Sequence, residues 1–282
     1  HEKPFAGVNG SGKHNNWSIS TDEGVNLLSP GDTPHENAQF LVFLCAVLQA
    51  VDDYQDLLRM SVATAGNDHR LGANEAPPAV VSIFLGDELT EVLKSIENDT
   101  YFTSHGAVQM DIGAIVLPHF VKDNTDRNRT SPFAFTGNKF EFRMLGSAAS
   151  VANPNIVLNT AVAEALDQFA KELDGVAPED MEHAVHELIK RAIKKHKRVI
   201  FNGNGYTDEW IEEAEKRGLY NLKSTPDALP MWIAQKNIDL FTKHSIFTSE
   251  ELHSRYEIWL ENYSKTINIE SNTMVEMVQK DL

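Results

Sequence analysis

The chain has 282 residues, 41% of them hydrophobic and 23% charged, enough for one large domain or two modest ones with a real core. Its net charge of −16, from 41 acids against 25 bases, argues against nucleic acid as a partner, and no apolar run approaches the roughly 18 residues of a membrane span. A single cysteine, Cys45, rules out an internal disulfide and fits a reducing, cytoplasmic setting. No signal peptide is evident, and a first residue of His rather than Met points to a chain that is processed, tagged or cut from something longer.

Near the start stands Phe5-Ala6-Gly7-Val8-Asn9-Gly10-Ser11-Gly12-Lys13-His14. Gly7 and Gly12-Lys13 fit a phosphate loop, but His14 replaces the required Ser or Thr. Trp17 and Ile19 then alternate with Ser18 and Ser20, a strand pattern, where a phosphate loop needs a helix. A glycine loop feeding a strand is expected, with His14 placed to bind a metal. Thr33-Pro34 predicts a helix start, with Thr as cap and Pro at the first position, and the helix is expected over 34–60. Cys45 lies in its apolar run and reads as a core thiol. A Gly-rich segment from Gly66 to Pro78 leads to an apolar strand over 79–84 and a short helix over 87–97. Residues 98–125 read as mixed loop and strand, and 126–132 as a polar arginine loop. Lys139-Phe140-Glu141-Phe142-Arg143 alternates, so a strand with a charged face and an apolar face is expected. A helix follows over 153–173. Beyond it nearly everything reads as charged amphipathic helix, broken at Asn202-Gly203-Asn204-Gly205 and Ser224-Thr225-Pro226-Asp227.

Several polar groups sit where a core does not need them. Glu141 and Arg143, two apart on a strand, share a face. Glu75 lies between a Gly-rich turn and the stiff Pro77-Pro78. Arg127 and Arg129 flank Asn128 in a loop suited to anion binding. Two carboxylates, one His and four arginines (Arg70 among them) make a set for phosphoryl transfer. Carboxylate and imidazole hold a metal, arginines neutralise phosphate and carboxylate, and a loop glutamate takes a proton.

These residues resemble glutamine synthetase, and within that family its large type-three bacterial form. The resemblance rests on Asn9-Gly10-Ser11-Gly12-x-His14, Arg70-x-x-x-x-Glu75-Ala76-Pro77, Arg127-Asn128-Arg129, and Glu141-x-Arg143 followed by Ala152-Asn153-Pro154, with a further likeness at Ile246-Phe247-Thr248. It implies an ATP-dependent ligase that makes glutamine from glutamate and ammonia through γ-glutamyl phosphate. It implies an α+β fold with an antiparallel, barrel-like sheet and flanking helices: a partial catalytic core over 1–173, then a helical C-terminal extension over 174–282. By the same resemblance Asn9 and Gly10 touch glutamate, and Arg70 pairs with its α-carboxylate. His14 and Glu141 hold Mg²⁺ or Mn²⁺ at the ATP phosphates. Asn16, Ser18 and Lys139 contact nucleotide. Glu75 sits on a flap and accepts the ammonium proton. Arg129, helped by Arg127, stabilises the transferring phosphoryl group, and Arg143 holds the γ-carboxylate end.

The partners implied are small molecules, in a large homo-oligomer of stacked rings, a dodecamer. The family's remaining metal-ligand glutamates precede the glycine loop and are absent from this chain, so little activity is expected from it alone. Met144-Leu145-Gly146 replaces the Phe-Pro-Asp of type-one enzymes, in keeping with the type-three form. Tyr220 resembles an adenylylated tyrosine but lacks the flanking Pro and Glu. Alternatives are a relative joining glutamate to another amine, a non-catalytic assembly subunit, and a phosphate-loop NTPase. Glu182, His183, His186 and Glu187 have a metal-like spacing but read as a solvated helix face, and Trp232, Phe241, Phe247, Tyr256 and Trp259 as packing or subunit interface.

Overall fold

A computed structural model describes residues 8–72, 76–100 and 128–281. The elements in chain order are β1 (Gly12–Trp17), α1 (Ala38–Asp53), α2 (Gln55–Met60), α3 (Ala65–Arg70), β2 (Ile83–Phe84), α4 (Asp87–Glu97), β3 (Phe133–Phe135), β4 (Phe140–Gly146), α5 (Ala152–Leu173), α6 (Met181–His196), α7 (Asp208–Lys216), α8 (Thr225–Ala228), α9 (Gln235–Lys243) and α10 (Ser249–Asp281).

The class is α+β, as expected, but the sheet is neither wholly antiparallel nor barrel-like among the described residues. It is open and four-stranded, in the order β1-β4-β3-β2. β4 runs antiparallel to both β1 and β3, whereas β2 runs parallel to β3. A barrel needs enough tilted strands to close on itself, and four strands, one of only two residues, do not reach that. The apolar run 79–84 enters the sheet only at Ile83–Phe84. Val80 bridges to Asn221 and Ile83 to Ile200, so this segment joins sheet to C-terminal region.

The helix expected over 34–60 begins later and is broken. Residues 34–36 form a turn, and Asn37, not Thr33, caps α1 by accepting from the Phe40 N–H. Tyr54 interrupts it, with φ −123° and ψ 27°. α4 and α5 match their expected spans, α4 with Asp87 and Glu88 in its first turn, where carboxylates favour the positive end of the dipole.

One buried cluster runs from Leu28 to Leu252 and takes in α1, the phenylalanines of β3 and β4, α5, α6 and Phe241. Within it Phe133 stacks on Phe140 at 4.6 Å. Cys45 belongs to it, and burial pushes its thiol up to about 12, so it is a core thiol. No described helix is long and apolar enough to cross a membrane.

Candidate functional site

The glycine loop does lead into a strand, but β1 covers Gly12–Trp17, taking in the loop's last glycine and ending before the alternating residues 18–20. Residues 12 to 17 pair with 146 to 140, and the register slips between Lys13 and Asn15. His14 therefore stands opposite two residues of β4, Arg143 and Met144, so the extra residue of this bulge lies in β4. The His14 side chain lands with Nδ1 3.7 Å from Oε2 of Glu141, on the neighbouring strand. The imidazole is 62% exposed while the carboxylate is nearly buried, a half-open arrangement that a ligand could complete.

Glu141 and Arg143 meet side by side, in keeping with one charged face of the strand, but that face is covered. All seven residues of β4 are buried. Local alternation shows only that two side chains share a face, not that other chain segments cover it. Here Arg143 provides much of the covering. Its Nε and Nη2 donate to Glu141 Oε2 at 3.1 and 2.9 Å, and its Nη1 donates to the carbonyl of Asn128 at 2.7 Å. Among the described residues Glu141 Oε1 accepts nothing, so the carboxylate keeps one unengaged hard oxygen while its other oxygen lies near the His14 ring nitrogen. That donor pair fits two positions of a Mg²⁺ or Mn²⁺ site, which takes about six ligands in all.

Asn16 lies opposite Glu141 in the ladder, and directly opposed side chains share a face. Beyond it Ser18 donates to Asn26 Oδ1 at 2.7 Å and lies 3.2 Å from the carbonyl of Asn138, in the β3–β4 turn that also carries Lys139. The structure thus gathers Ser18 and Lys139 at the turn end of the sheet, Asn16 and Glu141 level with each other beside it, and His14 and Arg143 further along. The other face of β1 packs on α5, where Asn15 and Trp17 donate to Asn155 and Asn159. Asn9 and Gly10 sit in the loop just before β1, Asn9 exposed and Gly10 half-buried.

Arg70 ends α3, whose cap is Thr64 accepting from Asn67 N–H. It is 3% exposed. Its Nη1 donates to Asn67 Oδ1 and to the carbonyl of Met144, and its Nη2 to the carbonyl of Arg143, all at 3.2 Å. Gly12 makes room for it: a Cβ there would lie 2.1 Å from Arg70 Nη2. The guanidinium is thus wedged between β1 and β4 behind the Glu141–Arg143 pair. Arg129 is exposed in the loop at 128–131. Glu75 and Arg127 lie outside the described residues.

Two groups went unread in the sequence. Asn67 is fully buried and donates to the carbonyls of Val62 and Met144, which fixes α3 to β4. Asn128, the middle of the Arg-Asn-Arg triplet, ties the arginine loop to the C-terminal region; its position between two arginines was the signal available. His186, expected on a solvated face, is buried and lies 3.5 Å from Asp99, whereas Glu182, His183 and Glu187 are exposed.

A different cluster, Asp52, Asp53 and His196, also has ligand atoms within reach of one ion. Asp52 is already occupied there. One oxygen lies 2.8 Å from His196 Nδ1 and the other accepts from Arg198 Nε at 2.7 Å. Burial raises the Asp53 carboxyl, with His196 opposing. A resident arginine disfavours a cation, so this is a tie between α1 and α6.

A family model described as the glutamine synthetase C-terminal domain matches residues 184–282. Over 287 residues the chain is 58% identical to a glutamine synthetase of Butyrivibrio fibrisolvens, covering 100% of this chain and 40% of that protein. It is 55% identical over 279 residues to the type-3 glutamine synthetase of Dictyostelium discoideum, covering 99% of this chain and 38% of that one. A glutamine synthetase of Bacteroides fragilis is 44% identical over 283 residues, 98% and 39% of the two chains. The chain spans about 40% of the length of these relatives.

Proposed function

Because the chain belongs to the glutamine synthetase family, we propose that it supplies part of the site of an ATP-dependent ligase that makes L-glutamine from L-glutamate and ammonia through γ-glutamyl phosphate. The observation that carries this reading is the meeting of His14, Glu141 and Arg143 on paired strands. In this reading His14 and Glu141 are two ligands of a Mg²⁺ or Mn²⁺ ion, which when bound would neutralise ATP phosphate charge. Asn16, Ser18 and Lys139 hold the nucleotide. Arg129, with Arg127, faces the transferring phosphoryl group, where guanidinium geometry suits three spread oxygens. Arg143 holds the γ-carboxylate end of glutamate, and Asn9 and Gly10 line its approach. Arg70 donates to neutral carbonyls now; a substrate α-carboxylate would replace one of them with a charged and stronger acceptor. Glu75 takes the proton from ammonium.

Residues 1–173 form the catalytic part and 174–282 a helical extension, within a cytoplasmic homo-oligomer of stacked rings, a dodecamer. Two ligands of about six do not hold an ion firmly, so residues 1–282 alone are expected to turn over little or not at all. The test is synthetase and γ-glutamyl transferase activity of the whole protein with Mg²⁺ and with Mn²⁺, beside Glu75→Ala. Losing a general base costs about 10²–10⁴-fold in rate, so Glu75→Ala should lose at least about 100-fold while still binding ATP. A folded, assembled whole protein inactive with both metals would overturn the ligase reading and favour another amine acceptor or a non-catalytic subunit.

A further inference from the structure

Among the described residues two side chains of the arginine loop, Asn128 and Thr130, fasten it to the C-terminal region. Asn128 Nδ2 donates to the carbonyls of Asn202 and Gly203 at 3.2 and 2.8 Å. Its Oδ1 accepts from the Thr130 hydroxyl at 2.6 Å, and that hydroxyl in turn accepts from the Gly205 N–H at 2.8 Å. Its own carbonyl accepts from Arg143 Nη1 at 2.7 Å. The backbone there has φ 31°, the left-handed region that Asn enters more readily than most residues. A Cβ on Gly205 would lie 2.8 Å from the Thr130 carbonyl, so the two loops are in contact without an intervening side chain.

The anchor is itself fixed. Asn202 Oδ1 accepts from the N–H groups of Leu85 and Gly86, and its Nδ2 donates to the Gly86 carbonyl and the Thr90 hydroxyl. Phe201 N–H donates to the Ile83 carbonyl, which seats the segment along β2. A hydrogen-bonded line therefore runs from residues 202–205 through Asn128 to Arg143, and from Arg143 to Glu141, whose Oε2 is 3.7 Å from His14.

We propose that Asn128 is a positioning residue for the Arg143–Glu141 pair, with residues 202–205 of the C-terminal region as its fixed support. The inference rests on the reading of His14 and Glu141 as metal ligands. With the Asn128 amide tied down, its carbonyl holds one arm of Arg143, and the other arm then orients the Glu141 carboxylate. Groups that orient a ligand without touching the ion are worth about 10–100-fold in metal affinity or activity.

The test compares the whole protein with Asn128→Gly and Asn128→Asp. Glycine adopts φ 31° freely and removes only the side-chain bonds. Aspartate keeps the acceptor for Thr130 but sets a carboxylate against the Asn202 and Gly203 carbonyls. Mn²⁺ affinity is read directly, by the loss of the free-ion electron spin resonance signal, and kcat and KM for ATP are read in parallel. The expected result is Mn²⁺ binding weakened about tenfold in both variants, with kcat reduced and KM for ATP within about twofold.

Metal affinity and kcat within twofold of the parent in both variants, in an active enzyme, would overturn the positioning role and leave the ligase reading standing. Weakened Mn²⁺ binding in variants of an inactive parent would overturn the ligase reading and support the positioning role. A parent that binds no Mn²⁺ would overturn the inference at its root.

Discussion

At the scale of single residues, Gly12 and Arg70 form the tightest fit at the site. Gly12 is the glycine that looks most like part of a phosphate cradle, yet what it admits is an arginine from the protein's own α3. An added methyl would lie 2.1 and 2.5 Å from the Arg70 guanidinium atoms and 2.9 Å from the Leu145 carbonyl. Arg70 cannot swing aside cheaply, since its donors are bonded to Asn67 and to two β4 carbonyls. Gly12→Ala is therefore expected to destabilise by about 1–3 kcal/mol, the usual cost of overpacking. In an Arg70→Ala background, where the clash is gone, the same substitution should cost clearly less. Chemical denaturation of the four proteins checks this, and equal costs in both backgrounds would remove the contact from the account. The Asn9–His14, Arg70–Glu75, Arg127–Arg129 and Glu141–Arg143 patterns singled out the candidate residues, and of these the structure brings His14, Glu141 and Arg143 together. Their surroundings could not be anticipated. Arg143 is held by the Asn128 carbonyl across a turn of the chain, and Arg70 is seated by a glycine whose neighbour only folding reveals.

At the scale of elements, α5 and α9 are clamped by charge. Lys243 donates to both oxygens of Glu164 and bridges to Asp167, His244 Nε2 lies 2.7 Å from Glu164, and Lys171 pairs with Asp167 one turn away. Hydrogen bonds from Lys171 and Lys243 hold the Asp167 carboxyl down to about 2. Burial pushes Glu164 upward, but bonds from Lys243, Gln168 and His244 outweigh it and its pKa is lowered. Depressed carboxyl pKa values give stability that is present above the unfolded value near 4 and lost as pH falls through the folded one. The melting temperature should thus fall as pH drops from about 4 towards about 2. Lys243→Met should be less stable at neutral pH, with a shallower acid limb, so that its curve meets the parent's near pH 2. Parallel curves would show that the clamp contributes nothing. Helices such as α4 and α5 were legible because their signals are local: an acidic first turn, a proline in the first turn, an apolar stripe. The break at Tyr54 and the parallel pairing of β2 with β3 were not, because each depends on partners that no local pattern announces.

At the scale of the whole molecule, the sheet and the C-terminal helices share one interior. Leu28, near the start, and Phe241, in α9, are both fully buried in the same cluster. Arg59 of α2 bonds to the carbonyls of Leu222 and Lys223 and pairs with Asp68, which accepts from the Thr225 N–H and hydroxyl. The proposed division at 173/174 is then one of role, not of mechanical independence. Leu28→Ala and Phe241→Ala, each expected to cost about 2–5 kcal/mol, should lower the same calorimetric transition in the whole protein. Two transitions, each moved by only one of the substitutions, would contradict a shared core.

The fastening of β2 by Asn202 also sets a timetable. Leu85 and Asn202 are 117 positions apart. At synthesis rates of about 5–20 residues per second, roughly 6–23 seconds separate their emergence. During that interval the backbone groups of Leu85 and Gly86 lack their partner, and Ile83 waits for Ile200. An uncovered strand edge is the feature most prone to pair with a neighbouring chain, so the nascent chain is most exposed to self-association before Ile200 and Asn202 have emerged.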